Sequence, residues 1–289
     1  MPSTTRKERV NTFYRSMRSI TDTHIKQMYG LYASLYENTS QEAFAHNLSQ
    51  KSGVILVTRR EDGRVVGFST QTCVSFRMEG RKVRGVLSGD TIIEPAYWGR
   101  NGLTRILQRR LALERIKHPF TPLYWLLIAK SYKSYLRLTQ HFDHHYPNAQ
   151  GGDERYRRIT QAYCEALFPD AFDRTRMLLD FGRADARLKG EAAEITPWLK
   201  ESDPRIAFFE HINPDWRQGT EVPCVAALDH ARVWRACLSA PLKWLRQHAQ
   251  GTQRSQRPAE RALALLPAPA PAWQDTDVMH AAMGRQRAS

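Results

Sequence analysis

The residue types best suited to chemistry gather in one stretch, residues 82–117, KVRGVLSGDTIIEPAYWGRNGLTRILQRRLALERIK. An apolar strand, Val83 to Glu94, runs through a loop holding Pro95, Gly99 and Gly102 into an amphipathic helix from about Leu103. A glycine-bearing loop ahead of a helix presents backbone N–H groups and the positive end of the helix dipole to an anion. The chemistry this suits is the holding of a phosphate or pyrophosphate. Within the strand, Asp90 and Glu94 share parity, so both carboxylates are expected on one face. A carboxylate in so apolar a strand needs a hydrogen-bonding partner or a function. Asp90 reads equally as a base and as an acceptor for nearby N–H groups.

The elements that must position this stretch follow from periodicity. Residues 1–20 form a basic arm, in which Tyr14 to Ile20 can add a first strand. Thr21 or Asp22 caps a helix carrying Ile25, Met28, Tyr32 and Leu35, and Thr39-Ser40-Gln41-Glu42 opens a second helix with Phe44 and Leu48. Three strands follow, 53–60, 64–78 and 83–94, joined by the turns Glu61-Asp62-Gly63-Arg64 and Glu79-Gly80-Arg81-Lys82 as an antiparallel meander. Helix 103–117 then leads to the apolar strand PLYWLLIA (122–129) and a helix over 131–142. Strand, crossover helix, strand at this spacing is a right-handed βαβ unit, so 83–94 and 123–129 are expected as parallel neighbours. Residues 150–200 read as a mostly helical insertion, and RIAFFEHI (205–212) with VPCVAALD (222–229) as a final antiparallel pair. The fold class expected is α+β, with a mixed sheet in a single domain over 21–230. A helical segment at 231–248 and a Pro- and Ala-rich disordered tail at 249–289 follow it.

Composition bounds the rest. The 289 residues can bury a full core, and no apolar run approaches the length of a membrane span. The start, MPSTTRKERV, lacks the apolar stretch of a secretory signal, so the expected location is cytoplasmic. Four scattered cysteines suggest neither a zinc site nor a disulfide framework. The formal net charge of +14 permits an anionic partner without naming one. Trp234, Leu238, Leu242, Trp244 and Leu245, interleaved with Arg232, Arg235, Lys243 and Arg246, have the pattern of a basic amphipathic surface suited to an anionic membrane or an acidic partner; packing on the domain is the commoner use of that pattern. His141 and His145 stand at metal-ligand spacing if helical, yet nothing like HExxH is present and no metal is expected.

Two helices, a three-strand meander, a βαβ unit and a terminal strand pair, together with VLSGDTIIEPAYWGRNGLTRIL, resemble the GNAT (Gcn5-related N-acetyltransferase) superfamily. That family's pattern is an apolar strand, a proline and R/Q-x-x-G-x-G/A opening a helix that holds the pyrophosphate of acyl-CoA. Here Gly99 and Gly102 are separated by two residues rather than one, and Ala96 and Trp98 lie where the leading Arg or Gln is expected.

The resemblance implies an N-acyltransferase moving an acyl group from acyl-CoA, or from acyl carrier protein phosphopantetheine, to a primary amine. It implies donor contacts from Ile92, Ile93, Trp98, Gly99, Arg100, Asn101, Gly102, Leu103 and Thr104, with backbone N–H groups near Ile92 to Glu94 polarising the carbonyl. It also implies a tyrosine on the helix after the parallel strand as acid to the departing thiolate, Tyr135 in preference to Tyr132, and Asp90 or Glu94 as candidate bases. Packing of both tyrosines on the sheet is the competing reading. LYWLLIAKSYKSYL and FFEHINPDWRQGTEVPCVAAL look similar to GNATs that attach fatty acyl groups to amino acids or ribosomally made peptides. An acceptor of that kind would be a Lys- or Orn-type side chain or a peptide N-terminus, giving a lipopeptide. The alternative is a non-catalytic GNAT-like basic module for nucleic acid or a peptide. Nucleic acid is the weaker option, because no RNP, helix-turn-helix or zinc pattern is present.

Overall fold

In a computed structural model of the protein, residues 8–99, 102–151, 154–182, 187–189 and 194–227 are described. Arg100, Asn101, the segment 231–248 and the tail from 249 lie outside them. The chain order is β1 (Val10–Ser16), α1 (Asp22–Leu35), β2 (Tyr36–Glu37), α2 (Gln41–Ser49), β3 (Gly53–Arg59), β4 (Val65–Met78), β5 (Arg81–Ile93), α3 (Leu103–Lys117), β6 (Leu123–Ala129), α4 (Tyr132–His141), β7 (His145–Tyr146), α5 (Glu154–Leu167), β8 (Phe172–Asp173), β9 (Leu178–Leu179), β10 (Arg187–Leu188), α6 (Pro197–Ser202), α7 (Pro204–Ile212) and β11 (Val222–Ala227). Seven strands form one mixed sheet in the order β1-β3-β4-β5-β6-β11-β7, and only β5 and β6 run parallel. The fold is α+β, with two N-terminal helices, a meander and a central βαβ unit.

Both faces of the sheet are covered, which is why β3 and β6 are almost wholly apolar. On β6, Leu123, Trp125, Leu127 and Ala129 join the core beneath α3, α4 and α7, while Tyr124 and Leu126 join the one beneath α5. Met28 and Tyr32 of α1 and Phe44 and Leu48 of α2 cover Val54, Leu56 and Phe68. The Thr21 side chain accepts the His24 N–H and the Ser40 side chain accepts the Ala43 N–H, so both helices begin where the capping residues predict.

The terminal pair differs from expectation. RIAFFEHI is helix α7, started by Pro204 at its first position and by the Asp203 carboxylate accepting the Arg205 N–H. A short apolar run fits strand and helix alike, and the Asp-Pro start signal decides it. The partner of β11 is instead β7, paired through Val225 with Tyr146 and Ala226 with His145. The 150–200 insertion is helical in α5 and α6, with short strand pairs elsewhere: β8 with β9, and β10 with β2.

One irregularity matters for function. Ser69 and Gln71 of β4 pair with Thr91 and Ser88 of β5, so β5 carries an extra residue at Gly89–Asp90. This bulge reverses the side-chain alternation. Val86 and Ser88 face α3 and α4 before it; Thr91 and Ile93 face that side after it, and Ile92 turns to the α1 side. A Cβ on Gly89 would lie 2.4 Å from the Thr70 hydroxyl, so any other residue there forces the Thr70 side chain to move. Gly89→Ala is expected to lower unfolding stability by about 1–3 kcal/mol; a change within experimental error in urea denaturation would show that the contact is not tight.

Candidate active site

β5 and β6 pair from Arg84 with Leu123 to Ser88 with Leu127 and then separate. Beyond that point β5 continues to Ile93 beside β4 alone, while β6 continues to Ala129 beside β11. The Glu94 N–H donates to Val66 O. By the alternation of an antiparallel ladder, Ile92 therefore also spends its main-chain groups on β4, and those of Thr91 and Ile93 face the open edge. The outer end of that edge is closed by Trp98, whose indole N–H donates to Ile93 O at 2.7 Å. Lys133 stands over the same ring at 5.4 Å.

At the parting lies a cavity of about 20 Å³, room for a water-sized group. Its floor is polar, formed by Ser69, Ser88 and Thr91; Leu103, Thr104 and Leu107 come from α3, and Trp125, Leu127 and Phe142 close it with Ser134 and Arg137 of α4. The floor is a hydrogen-bonded chain. Trp125 Nε1 donates to Ser88 Oγ at 2.8 Å, and buried Gln71 Nε2 reaches Ser88 Oγ at 3.0 Å and Ser69 Oγ at 3.2 Å. Ser69 Oγ and Thr91 Oγ1 are 2.8 Å apart, and Thr91 Oγ1 donates to Gly89 O at 3.2 Å. Gln71 Oε1 is buried without a partner. Such a chain in a core is costly unless its members satisfy one another, and it fixes the strand positions where the sheet opens.

Among the described residues, Arg137 is the single ionisable one lining the cavity. Burial pulls its pKa down, and no charged neighbour offsets that. A guanidinium nevertheless stays protonated.

The sequence-derived candidates divide. Leu103 and Thr104 line the cavity, and Ile93 stands on its open edge. Gly99 and Gly102 both have left-handed backbones, at φ 73° and 65°, and Gly102 is the N-cap of α3 with no side-chain cap. Tyr135 is not in the cavity: it is 1% exposed, packs on Phe208 and Phe209 with ring centroids 6.0 Å away, and donates its hydroxyl to Pro147 O at 3.1 Å. Burial pushes its pKa well above the usual tyrosine value. Tyr132 is likewise outside the lining, with its pKa raised by burial. Neither Asp90 nor Glu94 lines the cavity. Asp90 sits in the bulge, and Glu94 is held bidentate by Arg64 at 2.5 and 2.9 Å. Ile92 packs on the α1 side. α4 ends at His141, so no helical pairing with His145 forms, and His145 Nδ1 lies 2.7 Å from Phe142 O.

Sequence reasoning missed Ser69, Gln71, Ser88, Ser134 and Arg137. A partial signal was present for three of them, since Ser69, Gln71 and Ser88 are polar residues that fall within the central strands.

No family model and no curated protein matches the chain in sequence. Among solved structures, it is similar to a conserved protein of Enterococcus faecalis described as a probable N-acyltransferase (16% identity, TM-score 0.34, 45% of this chain and 32% of that one). It is also similar to a GCN5-related N-acetyltransferase of Kribbella flavida (19%, 0.34, 48% and 34%) and to a GNAT-family N-acetyltransferase of Escherichia coli in complex with CoA (13%, 0.33, 47% and 71%). The chain spans about a third of the length of the first two. At these values the likenesses carry no argument about function.

Tyr135→Phe should cost about 1 kcal/mol of stability through the lost bond to Pro147 and leave any turnover unchanged. A large loss of turnover at normal stability would return Tyr135 to the chemistry.

Proposed function

We propose that the protein is an N-acyltransferase that moves an acyl group from a thioester, acyl-CoA or acyl carrier protein phosphopantetheine, to a primary amine. The observation that carries this reading is the parting of the two parallel strands beside a bulge, at a largely apolar cavity with a hydroxyl-bearing floor that Leu103 and Thr104, the first residues of α3, help to wall. Thioester aminolysis is chiefly a matter of alignment and of charge stabilisation where the carbonyl oxygen and the sulfur become negative. The open edge offers the main-chain groups of Thr91 and the Ile93 N–H to an extended amide chain, as a sheet edge does to an added strand. A pantetheine arm is such a chain. The two left-handed glycines and the positive end of the α3 dipole suit the diphosphate at its far end, and exposed Arg105 and Arg109 add positive charge on the same helix.

The unit performing this is the domain over 21–230. Its acceptor is a Lys- or Orn-type amine or a peptide N-terminus, and a fatty acyl chain would run from the cavity along Leu103, Leu107, Leu127 and Phe142. Chain length would be set by how those walls yield.

Gly102 separates charge from strain in a test of this reading. Any side chain there pays for φ 65°, but a Cβ meets only Thr12, at 3.7 Å. Gly102→Ala and Gly102→Glu should therefore fold alike, while the glutamate repels a bound phosphate. In calorimetric titration with acetyl-CoA, Gly102→Glu should bind at least about tenfold more weakly than Gly102→Ala. Equal affinities would move the donor site away from this loop.

A further inference from the structure

An acyl transfer at this cavity produces a thiolate, and the surroundings limit what can receive it. The lining contains hydroxyls, apolar side chains and Arg137, with no tyrosine, histidine, cysteine or carboxylate. Tyr135 is committed to Pro147 O, inside the core under α7. The lining therefore offers no strong proton donor at the sulfur. It does offer a permanent positive charge that is half-buried and meets no carboxylate among the described residues. Burying an ion without a counter-ion costs several kcal/mol. The fold meets that cost at the one place where the reaction makes an anion.

Resting on the acyl-transfer reading above, we infer that Arg137 is the charge partner of the departing thiolate, which leaves as an ion instead of being protonated by a tyrosine. The amine lone pair forms the new C–N bond at the thioester carbonyl. The nitrogen gives its surplus proton to water, and collapse of the adduct breaks the C–S bond with its electron pair going to sulfur. The products are the amide, a proton in solvent and a thiolate paired with the guanidinium. The thiolate takes up a proton from solvent on release. Ser134, one turn before Arg137 on α4, lines the same cavity and adds a hydroxyl donor to the sulfur.

The geometry explains why the position needs arginine. The cavity holds little water, so an unpaired thiolate there would be poorly solvated, and a fixed charge in a dry site is worth far more than in bulk. A guanidinium carries that charge without depending on pH.

The direct test needs no turnover. Free CoA bound to the wild-type protein is titrated by the ultraviolet absorbance of its thiolate. The thiol pKa should fall by about 1–3 units from its solution value. Arg137→Met should abolish the shift, and Arg137→Lys should keep part of it. An unshifted thiol in the wild type, or the same shift in Arg137→Met, overturns the inference.

The second test varies the leaving group. With acetyl-CoA, Arg137→Met should lower kcat about 100-fold or more. With an acetyl thioester of an acidic aryl thiol, whose thiolate needs little help, it should lower kcat only a few-fold. Equal losses with both donors would make Arg137 a merely structural residue. If the wild type transfers acetyl groups but Arg137→Met matches it with both donors, the inference fails and the acyltransferase reading stands. If the wild type neither binds CoA nor transfers from either donor, the acyltransferase reading fails and takes this inference with it.

Discussion

The structure depends on a sheet that opens along a line between two parallel strands. β5 and β6 are bonded through Ser88 and Leu127 and then go to different neighbours, β4 on one side and β11 on the other. Opening a sheet exposes main-chain donors and acceptors, and a core cannot leave these unpaired. The polar chain from Trp125 through Ser88, Gln71 and Ser69 to Thr91 pins the strands at the fork, and α3 and α4 close over it. The cavity, the open edge and the arginine above them all follow from that divergence.

The bulge at Gly89–Asp90 makes the arrangement usable. Without it, Ile92 would face the cavity and Thr91 would face the α1 side. With it, a hydroxyl and the Ile93 edge are brought to the side where the sheet opens, and Ile92 is released to the core with Phe68 and Met28. One extra residue lets a single strand serve two cores. Its tight closure against Thr70 explains why glycine stands there.

Much of the fold was legible in the sequence because it is written in local signals. The capping residues Thr21 and Ser40, the two hairpin turns and the apolar run of β6 each announce an element. What could not be read was relational. Counting along β5 does not reveal the bulge at Gly89–Asp90, which adds a residue without changing the composition. RIAFFEHI has the apolarity of a strand, and only its Asp203-Pro204 start marks the helix. Arg137 belongs to an α4 face that reads as solvated, since nothing in YLRLTQ says that the helix lies over a fork in the sheet. Tyr135 was chosen for its chemistry and is held by its packing. The loop glycines, in contrast, were legible as a break between a strand and a helix start, and both have left-handed backbones.

Trp98 gives the open edge one further property. Exposed strand edges recruit other chains, and proteins that carry them need a guard against unwanted pairing. Here the unpaired edge lies inside a sheet, and on the acyl-transfer reading proposed above it would open on a mouth that admits a ligand, so a permanent strand could not hide it. A 55% exposed indole bonded to Ile93 O, with a lysine ammonium above it, closes the outer end. An aromatic ring and a positive charge at that point leave a slot suited to a slender anionic chain and hostile to a second β-strand. Solubility and selectivity would then share one side chain.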